Sequence, residues 1–228
     1  MEFKTLEVAG FESAIRGMRN PLESWSQSDS SFDFKNFILG KKDIDLARRL
    51  CEAGASDRKF MRMLIVWADI KAPVYFLREF DTYKIGTVTN STSMQHKGSS
   101  KQYDKFDFAI DDTSVLPLED HSETMFAWAT VIDAINYLME QYRDTKDITY
   151  FRLARQLMPM GYEYLFTWKA SYVTIYNMYM QRKNHKLVEW SGKDCYNEDG
   201  EPASFITWAE SLPYFKEICL GVCDESES

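Results

Sequence analysis

The chain has 228 residues, of which 45% are hydrophobic and 27% are charged, so it is long and apolar enough to bury a sizeable core. Its formal net charge of −8 disfavours binding to nucleic-acid polymers, but a single nucleotide needs only a few well-placed donors around its phosphate. No stretch approaches the roughly 18 uninterrupted apolar residues of a membrane span, and no basic segment followed by an apolar one opens the chain, so we expect neither a membrane partner nor a signal peptide.

The hydrophobic pattern predicts a mixture of strands and helices in which helices dominate. A dense apolar run, Phe60–Ile70, is compatible with either a buried strand or a helix. The hydroxyl- and amide-rich segment Gly86–Lys101 indicates a loop. The other predicted elements are a strand over Phe3–Val8 and helices over Phe11–Met18, Asp43–Ala53, Val74–Phe80, Ser122–Asp144, Ile148–Met158 and Lys169–Lys186. No repeat or low-complexity linker interrupts the chain, so we predict an α+β fold in a single domain, 1–228.

The cysteines do not indicate a metal site. Cys51, Cys195, Cys219 and Cys223 match no zinc module, and the chain has only three histidines to complete one. We interpret Cys219 and Cys223, which lie one turn apart on a predicted helix, as plain thiols. We predict a cytoplasmic location, because a reducing compartment suits this cysteine usage best. The motifs of dinucleotide-binding proteins, P-loop enzymes, serine hydrolases and zinc proteases are also missing from the sequence.

The segment Pro73–His96, PVYFLREFDTYKIGTVTNSTSMQH, joins an apolar run and an arginine to a polar stretch. It resembles the segment PIFVxRQxxRHRxxSxNExSxRY of the flavin-dependent thymidylate synthases (ThyX type). In an ungapped comparison, Arg78 matches the first arginine of the family, Glu79 its glutamine, Thr82-Tyr83-Lys84 its RHR triplet and Thr87 its serine. With one inserted residue, the family's N, E, S, R and Y correspond to Asn90, Ser91, Ser93, Gln95 and His96.

A second segment, Arg152–Arg182, resembles another part of the same family: a helix that ends in LP, a YTxFxW stretch and a long helix. Asn177 occupies the position at which the family has a histidine or asparagine that reaches the flavin. Arg182 matches the family's arginine at the end of the long helix. The remaining matches are Leu157, Pro159, Tyr162, Phe166 and Trp168. Together the two segments cover about a quarter of the chain.

The resemblance implies a helix-rich ThyX-like fold with a small mixed or antiparallel sheet, assembled as a homotetramer. It also implies methylation of a pyrimidine nucleotide, dUMP, with FAD as cofactor and NADPH and methylene-tetrahydrofolate as co-substrates. Arg182 is the candidate catalytic residue. The resemblance implies nucleotide contacts for Arg78, Glu79, Thr87, Asn90, Ser91, Ser93, Gln95 and Arg182. It implies flavin contacts for Thr82, Tyr83, Lys84, His96 and Asn177.

This sequence departs from the family at charged positions. At the positions of the RHR triplet, only Lys84 carries a positive charge. Val173 stands where the family has an arginine that contacts the nucleotide. The family's AQxEIR motif corresponds to residues 186–191, which keep only its glutamate. These departures keep a second hypothesis open, a protein that binds a nucleotide without turnover. A third is an oligomeric interaction protein with no small ligand. Arg182 also has a simpler interpretation, as part of a basic helix end that complements the helix dipole.

Overall fold

The computed structural model describes residues 1–33, 36–93 and 98–222. They form two compact units. The first unit consists of the described residues of Met1, Lys71–Thr82 and Asn90–Phe166. The second consists of the described residues of Glu2–Ile70, Tyr83–Thr89 and Thr167–Ser228. The single domain over 1–228 remains a prediction.

The secondary structure confirms a helix-rich α+β fold. The helices are α1 (Phe11–Arg19), α2 (Lys41–Ala53), α3 (Val74–Phe80), α4 (Leu118–Thr145), α5 (Ile148–Leu157), α6 (Tyr172–Arg182), α7 (Val188–Ser191) and α8 (Phe205–Ser211). The strands are β1 (Glu2–Ala9), β2 (Ser31–Phe32), β3 (Phe37–Ile38), β4 (Ile65–Pro73), β5 (Val88–Ser91) and β6 (Glu163–Ser171). Within the described residues, one sheet has the order β1-β4-β6-β5, and β2 pairs with β3 in a second, antiparallel sheet.

In the second unit, α1 begins directly after β1 and buries one face. Its buried residues Phe11, Ala14, Ile15 and Met18 follow the spacing of an amphipathic helix. Gly10 precedes the helix with a φ of 96°, and a Cβ at this position would overlap the carbonyl oxygen of Met63. Only glycine fits this turn, because both the backbone conformation and the close approach exclude a side chain.

The carboxylate of Asp43, on α2, is fully buried and paired with Arg19 of α1. Both Nε and Nη2 of Arg19 lie 2.6 Å from Oδ1 of Asp43. The other carboxylate oxygen of Asp43, Oδ2, accepts hydrogen bonds of 2.6 Å from the hydroxyls of Ser28 and Ser30. Burial alone would raise the pKa of Asp43, but the hydrogen bonds from Ser28, Ser30 and Arg19, together with the charge of Arg19, lower it overall.

In the first unit, α4 and α5 form an antiparallel pair joined by a tight turn, in which Lys146 has a φ of 58°. Asp147 caps α5, because its carboxylate accepts a hydrogen bond from the backbone amide of Thr149. Ile132 and Ile135 of α4 are buried, whereas Ala129 on the same helix is exposed. The core around these helices also contains Tyr103, Phe108, Met139, Phe151 and Tyr162.

Two sequence predictions of local structure were wrong. The helix predicted over Lys169–Lys186 spans only Tyr172–Arg182. Its start is displaced because 163–171 is strand β6, in which Phe166, Trp168 and Ala170 are buried in alternation. The predicted loop Gly86–Lys101 contains strand β5, whose residues are all exposed and therefore carry no apolar pattern that a sequence reading detects.

Among the described residues, none of the helices is both long enough and apolar enough to cross a bilayer.

We expect Asp43→Asn to lower the free energy of unfolding by about 3–5 kcal/mol, because it leaves the buried Arg19 guanidinium without its counter-ion. Chemical denaturation of the full chain measures this difference. Asp45→Asn is the matched control, since Asp45 lies on the same helix, is 44% exposed and pairs with Arg48 at the surface. We expect this control to change stability by less than about 1 kcal/mol. Equal losses in the two variants would contradict a special role for the Asp43 pair.

Candidate functional site

Arg182, the last residue of α6, is positioned by tyrosines on the buried face of that helix. The hydroxyl of Tyr172 donates to the carbonyl of Pro213 at 2.8 Å, and that of Tyr179 donates to Oε1 of Glu210 at 2.6 Å. Burial and the carboxylate of Glu210 both raise the pKa of Tyr179, which keeps its hydroxyl protonated and able to donate. The tyrosines therefore anchor α6 and determine where its last turn places Arg182.

The guanidinium of Arg182 packs against two aromatic rings. Its Nε donates to the hydroxyl of Tyr83 at 2.9 Å, and that hydroxyl donates to Oε1 of Gln181 at 3.0 Å. The guanidinium carbon lies 4.8 Å from the ring centroid of Trp190 and 5.6 Å from that of Tyr83. Both distances are within the range of cation–π attraction. We call Tyr83, Arg182 and Trp190 the Arg182 cluster.

Trp190 is fully buried and belongs to the short helix α7. Its ring meets Phe205 edge-on at 5.4 Å between centroids, and His185 at 6.2 Å. The hydroxyl of Ser191 donates to the carbonyl of His185 at 2.8 Å, which holds the segment after α6 close to α7. Because Trp190 is enclosed in this way, the ring that faces Arg182 has a fixed orientation.

Tyr83 is held by the turn that follows it. The Thr87 hydroxyl donates to the Tyr83 carbonyl at 2.9 Å. Farther along the turn, the carbonyls of Ile85 and Gly86 accept longer hydrogen bonds of 3.4 Å from Thr174 of α6 and Lys169 of β6. These contacts, all within the second unit, keep the ring of Tyr83 beside Arg182.

The structure brings only some of the predicted site residues together. In the second unit, Tyr83, Thr87 and Arg182 are linked by hydrogen bonds, while Lys84 and Asn177 present exposed side chains. The other predicted residues that are described belong to the first unit: Arg78, Glu79, Thr82, Asn90, Ser91 and Ser93.

Within the first unit, the predicted residues occupy two local settings. Arg78 is exposed on α3, and the hydroxyl of Thr82 donates to the carbonyl of Glu79 at 2.6 Å, which closes the end of that helix. Asn90 and Ser91 are exposed on β5, and Ser93 is exposed two residues beyond it. Gln95 and His96 lie outside the described residues.

Sequence reasoning missed Trp190 and Gln181 as partners of the site. Trp190 falls in the segment compared with the family's AQxEIR, but nothing in its spacing connects it to Tyr83, more than a hundred residues earlier. Within the part of the chain that the structure describes, no three His, Cys, Asp or Glu side chains are arranged to hold a metal ion.

Solved structures that share this fold are flavin-dependent thymidylate synthases and a nucleotide methylase. ThyX from Helicobacter pylori, complexed with FAD and dUMP, aligns with a TM-score of 0.60 at 17% identity, covering 82% of this chain and 86% of that one. A second structure of it with FAD and dUMP aligns with a TM-score of 0.59 at 15% identity, over the same shares of the two chains.

The UMP/dUMP methylase PolB from Streptomyces cacaoi, bound with 5-Br dUMP, aligns with a TM-score of 0.54 at 12% identity, covering 90% of this chain and 84% of that one. Comparisons of the sequence with known protein families and with curated proteins find no match. At these identities the structural likeness shows a ThyX-like fold and confirms that expectation from the sequence.

We expect Tyr83→Phe to lower the free energy of unfolding by about 0.5–1.5 kcal/mol, because the ring stays while the acceptor for Arg182 Nε is removed. Tyr83→Leu also removes the ring face, so its loss is expected to be larger. Chemical denaturation ranks the variants, with the exposed Tyr196→Phe as a near-neutral control. If Tyr83→Phe is indistinguishable from that control, the hydrogen bond to Arg182 contributes no net stability.

Proposed function

We propose that this chain methylates a pyrimidine nucleotide of the dUMP type by flavin-dependent chemistry. The observation that carries the proposal is the fold, which is shared over most of the chain with two structures of an FAD- and dUMP-bound thymidylate synthase and with a UMP/dUMP methylase. The retained arginine at the end of α6 supports the same function. Assembly as a homotetramer and a cytoplasmic location are part of this proposal.

Arg182 is the residue we assign to the nucleotide. A guanidinium presents its donors in a planar fork that matches a phosphate or the edge of a uracil ring. In the Arg182 cluster this fork is held by Tyr83 and Trp190, so little side-chain freedom remains to be lost when a ligand binds. A pre-oriented cation of this kind is suited to stabilise negative charge that develops on a pyrimidine during the reaction.

Lys84 and Asn177 are the residues we assign to the flavin. Both are polar and exposed in the second unit, and Lys84 carries a positive charge suited to the diphosphate of FAD. When bound, the flavin supplies the hydride that completes the methyl group, while methylene-tetrahydrofolate and NADPH serve as co-substrates. The chain itself orients the nucleotide through Arg182 and provides no covalent nucleophile in this proposal.

A second candidate function is capture of a nucleotide without turnover. It is favoured by the hydrogen bonds of the Thr82-Tyr83-Lys84 triplet, since the Thr82 hydroxyl donates to Glu79 and the Tyr83 hydroxyl donates to Gln181. Lys84 is then the one cation that this triplet offers to a flavin diphosphate. A nucleotide held by Arg182 with no flavin beside it would bind without being methylated.

We expect Arg182→Ala to weaken dUMP binding by about 1.5–3 kcal/mol, the range for loss of a charged hydrogen bond. Isothermal titration calorimetry with dUMP measures the affinity of each variant. Lys183→Ala is the matched control, because it removes the same charge from the next residue, whose side chain is exposed. Equal weakening in both variants would mean that Arg182 acts only through its net charge. Unchanged affinity in Arg182→Ala would remove it from the nucleotide site.

We expect the purified protein to retain a visible flavin spectrum after FAD is added and unbound FAD is removed by desalting. Lys84→Ala should lower the retained fraction, because it removes the cation assigned to the diphosphate, whereas Lys183→Ala should leave the fraction unchanged. Reduction of the bound flavin by NADPH would further support the enzyme. A colourless protein that binds dUMP tightly would instead support capture without turnover.

A further inference from the structure

The hydroxyl of Tyr83 bridges two consecutive side chains at the end of α6. It accepts a hydrogen bond from Nε of Arg182 at 2.9 Å and donates one to Oε1 of Gln181 at 3.0 Å. A guanidinium can only donate, so a hydroxyl that bonds to it must accept and must direct its own proton elsewhere. Gln181 receives that proton, and the direction of both hydrogen bonds is thereby fixed.

The ring and the backbone of Tyr83 restrict where its hydroxyl lies. The ring meets the buried ring of Trp190 edge-on, with 6.2 Å between centroids and 62° between planes. The hydroxyl of Thr87 donates to the Tyr83 carbonyl at 2.9 Å. A tyrosine side chain rotates about only two torsions, so an anchored backbone and a packed ring leave its hydroxyl little freedom.

The position of this hydroxyl sets the orientation of Arg182. The Nε–H bond lies in the plane of the guanidinium, so donation to a fixed oxygen fixes the direction of one edge of that plane. The rings of Tyr83 and Trp190, at 5.6 Å and 4.8 Å from the guanidinium carbon, restrict the group further. Tyr83 therefore contacts Arg182 in two ways, through its hydroxyl and through its ring.

We propose that Tyr83 is a positioning residue for the nucleotide, which it serves through Arg182, and that it is not a contact of the flavin. This inference rests on the function proposed above, in which Arg182 binds the nucleotide. The family resemblance implies a flavin contact for Tyr83, but in this chain its hydroxyl proton is committed to Gln181 and its oxygen to Arg182. Loss of the hydroxyl therefore affects the nucleotide and leaves the flavin in place.

Tyr83→Phe separates the two contacts that Tyr83 makes with Arg182. Phenylalanine retains the ring beside the guanidinium but offers no oxygen to Nε, which then exchanges a fixed acceptor for water. The orientation of Arg182 becomes less restricted, and more freedom is lost when the nucleotide binds. The expected cost in dUMP affinity is that of one net hydrogen bond, about three- to tenfold.

A double-mutant cycle on dUMP affinity tests the proposal. Isothermal titration calorimetry with dUMP, at saturating FAD, compares the wild-type chain with Tyr83→Phe, Arg182→Ala and the double variant. We expect Tyr83→Phe to weaken binding about three- to tenfold when Arg182 is present. In the Arg182→Ala background we expect a change of less than about twofold, because the effect passes through the missing guanidinium. A general loss of structure would instead weaken binding equally in both backgrounds.

Flavin retention after desalting is the second measurement. Tyr196→Phe is the matched control, because it removes the hydroxyl of an exposed tyrosine in the same unit. We expect Tyr83→Phe to retain as much flavin as this control, and the control to bind dUMP as tightly as the wild-type chain. If the wild-type chain retains no flavin, the cycle on dUMP affinity alone decides.

Two outcomes overturn the role of Tyr83 without affecting the assignment of Arg182. Equal weakening by Tyr83→Phe in both backgrounds would mean that Tyr83 acts independently of Arg182. Lower flavin retention in Tyr83→Phe than in Tyr196→Phe would make Tyr83 a contact of the flavin. Unchanged dUMP affinity in Arg182→Ala is a different failure, since it removes Arg182 from the nucleotide site and the inference about Tyr83 with it.

Discussion

The buried carboxylate of Asp43 determines how the early part of the second unit is arranged. Its two oxygens accept hydrogen bonds from Arg19 at the end of α1 and from the hydroxyls of Ser28 and Ser30. They also accept hydrogen bonds from the backbone amides of residues 29 and 30. A charge in such a position is tolerated only when its hydrogen-bonding capacity is met. Three segments must therefore meet at one point, and this requirement sets the position of α2.

From α2 the arrangement extends to the candidate site through packing. The π-helical turn 216–220 rests on α2, and Phe215, just before it, packs against Tyr172 and Tyr179 of α6. The hydroxyls of the same two tyrosines donate hydrogen bonds to the carbonyl of Pro213 and to the carboxylate of Glu210. Arg182 at the end of α6 is thus positioned by a series of contacts that begins far from it, and its orientation is completed by Tyr83 and Trp190.

The sequence predicted the elements whose apolar residues repeat with a clear period. Helix α1 and the long helix α4 were expected within a few residues of their ends, because each buries one face. Strand β1 was expected within one residue of its ends, although Phe3 is its one buried residue. The start of α6 was misplaced, since residues 169–171 belong to strand β6, in which Trp168 and Ala170 are buried in alternation. Strand β5 was missed because all four of its side chains are exposed, so its pairing in the sheet depends on the backbone alone.

The amino-acid sequence by itself determined the class of fold, because periodic burial is a property of a linear chain, and its resemblance to the ThyX family singled out Arg182 and Tyr83. Only the tertiary structure decided that these two side chains meet each other and Trp190. Neither contact follows from any spacing in the sequence. Such contacts depend on where packed helices bring distant residues, which local physical preferences do not encode.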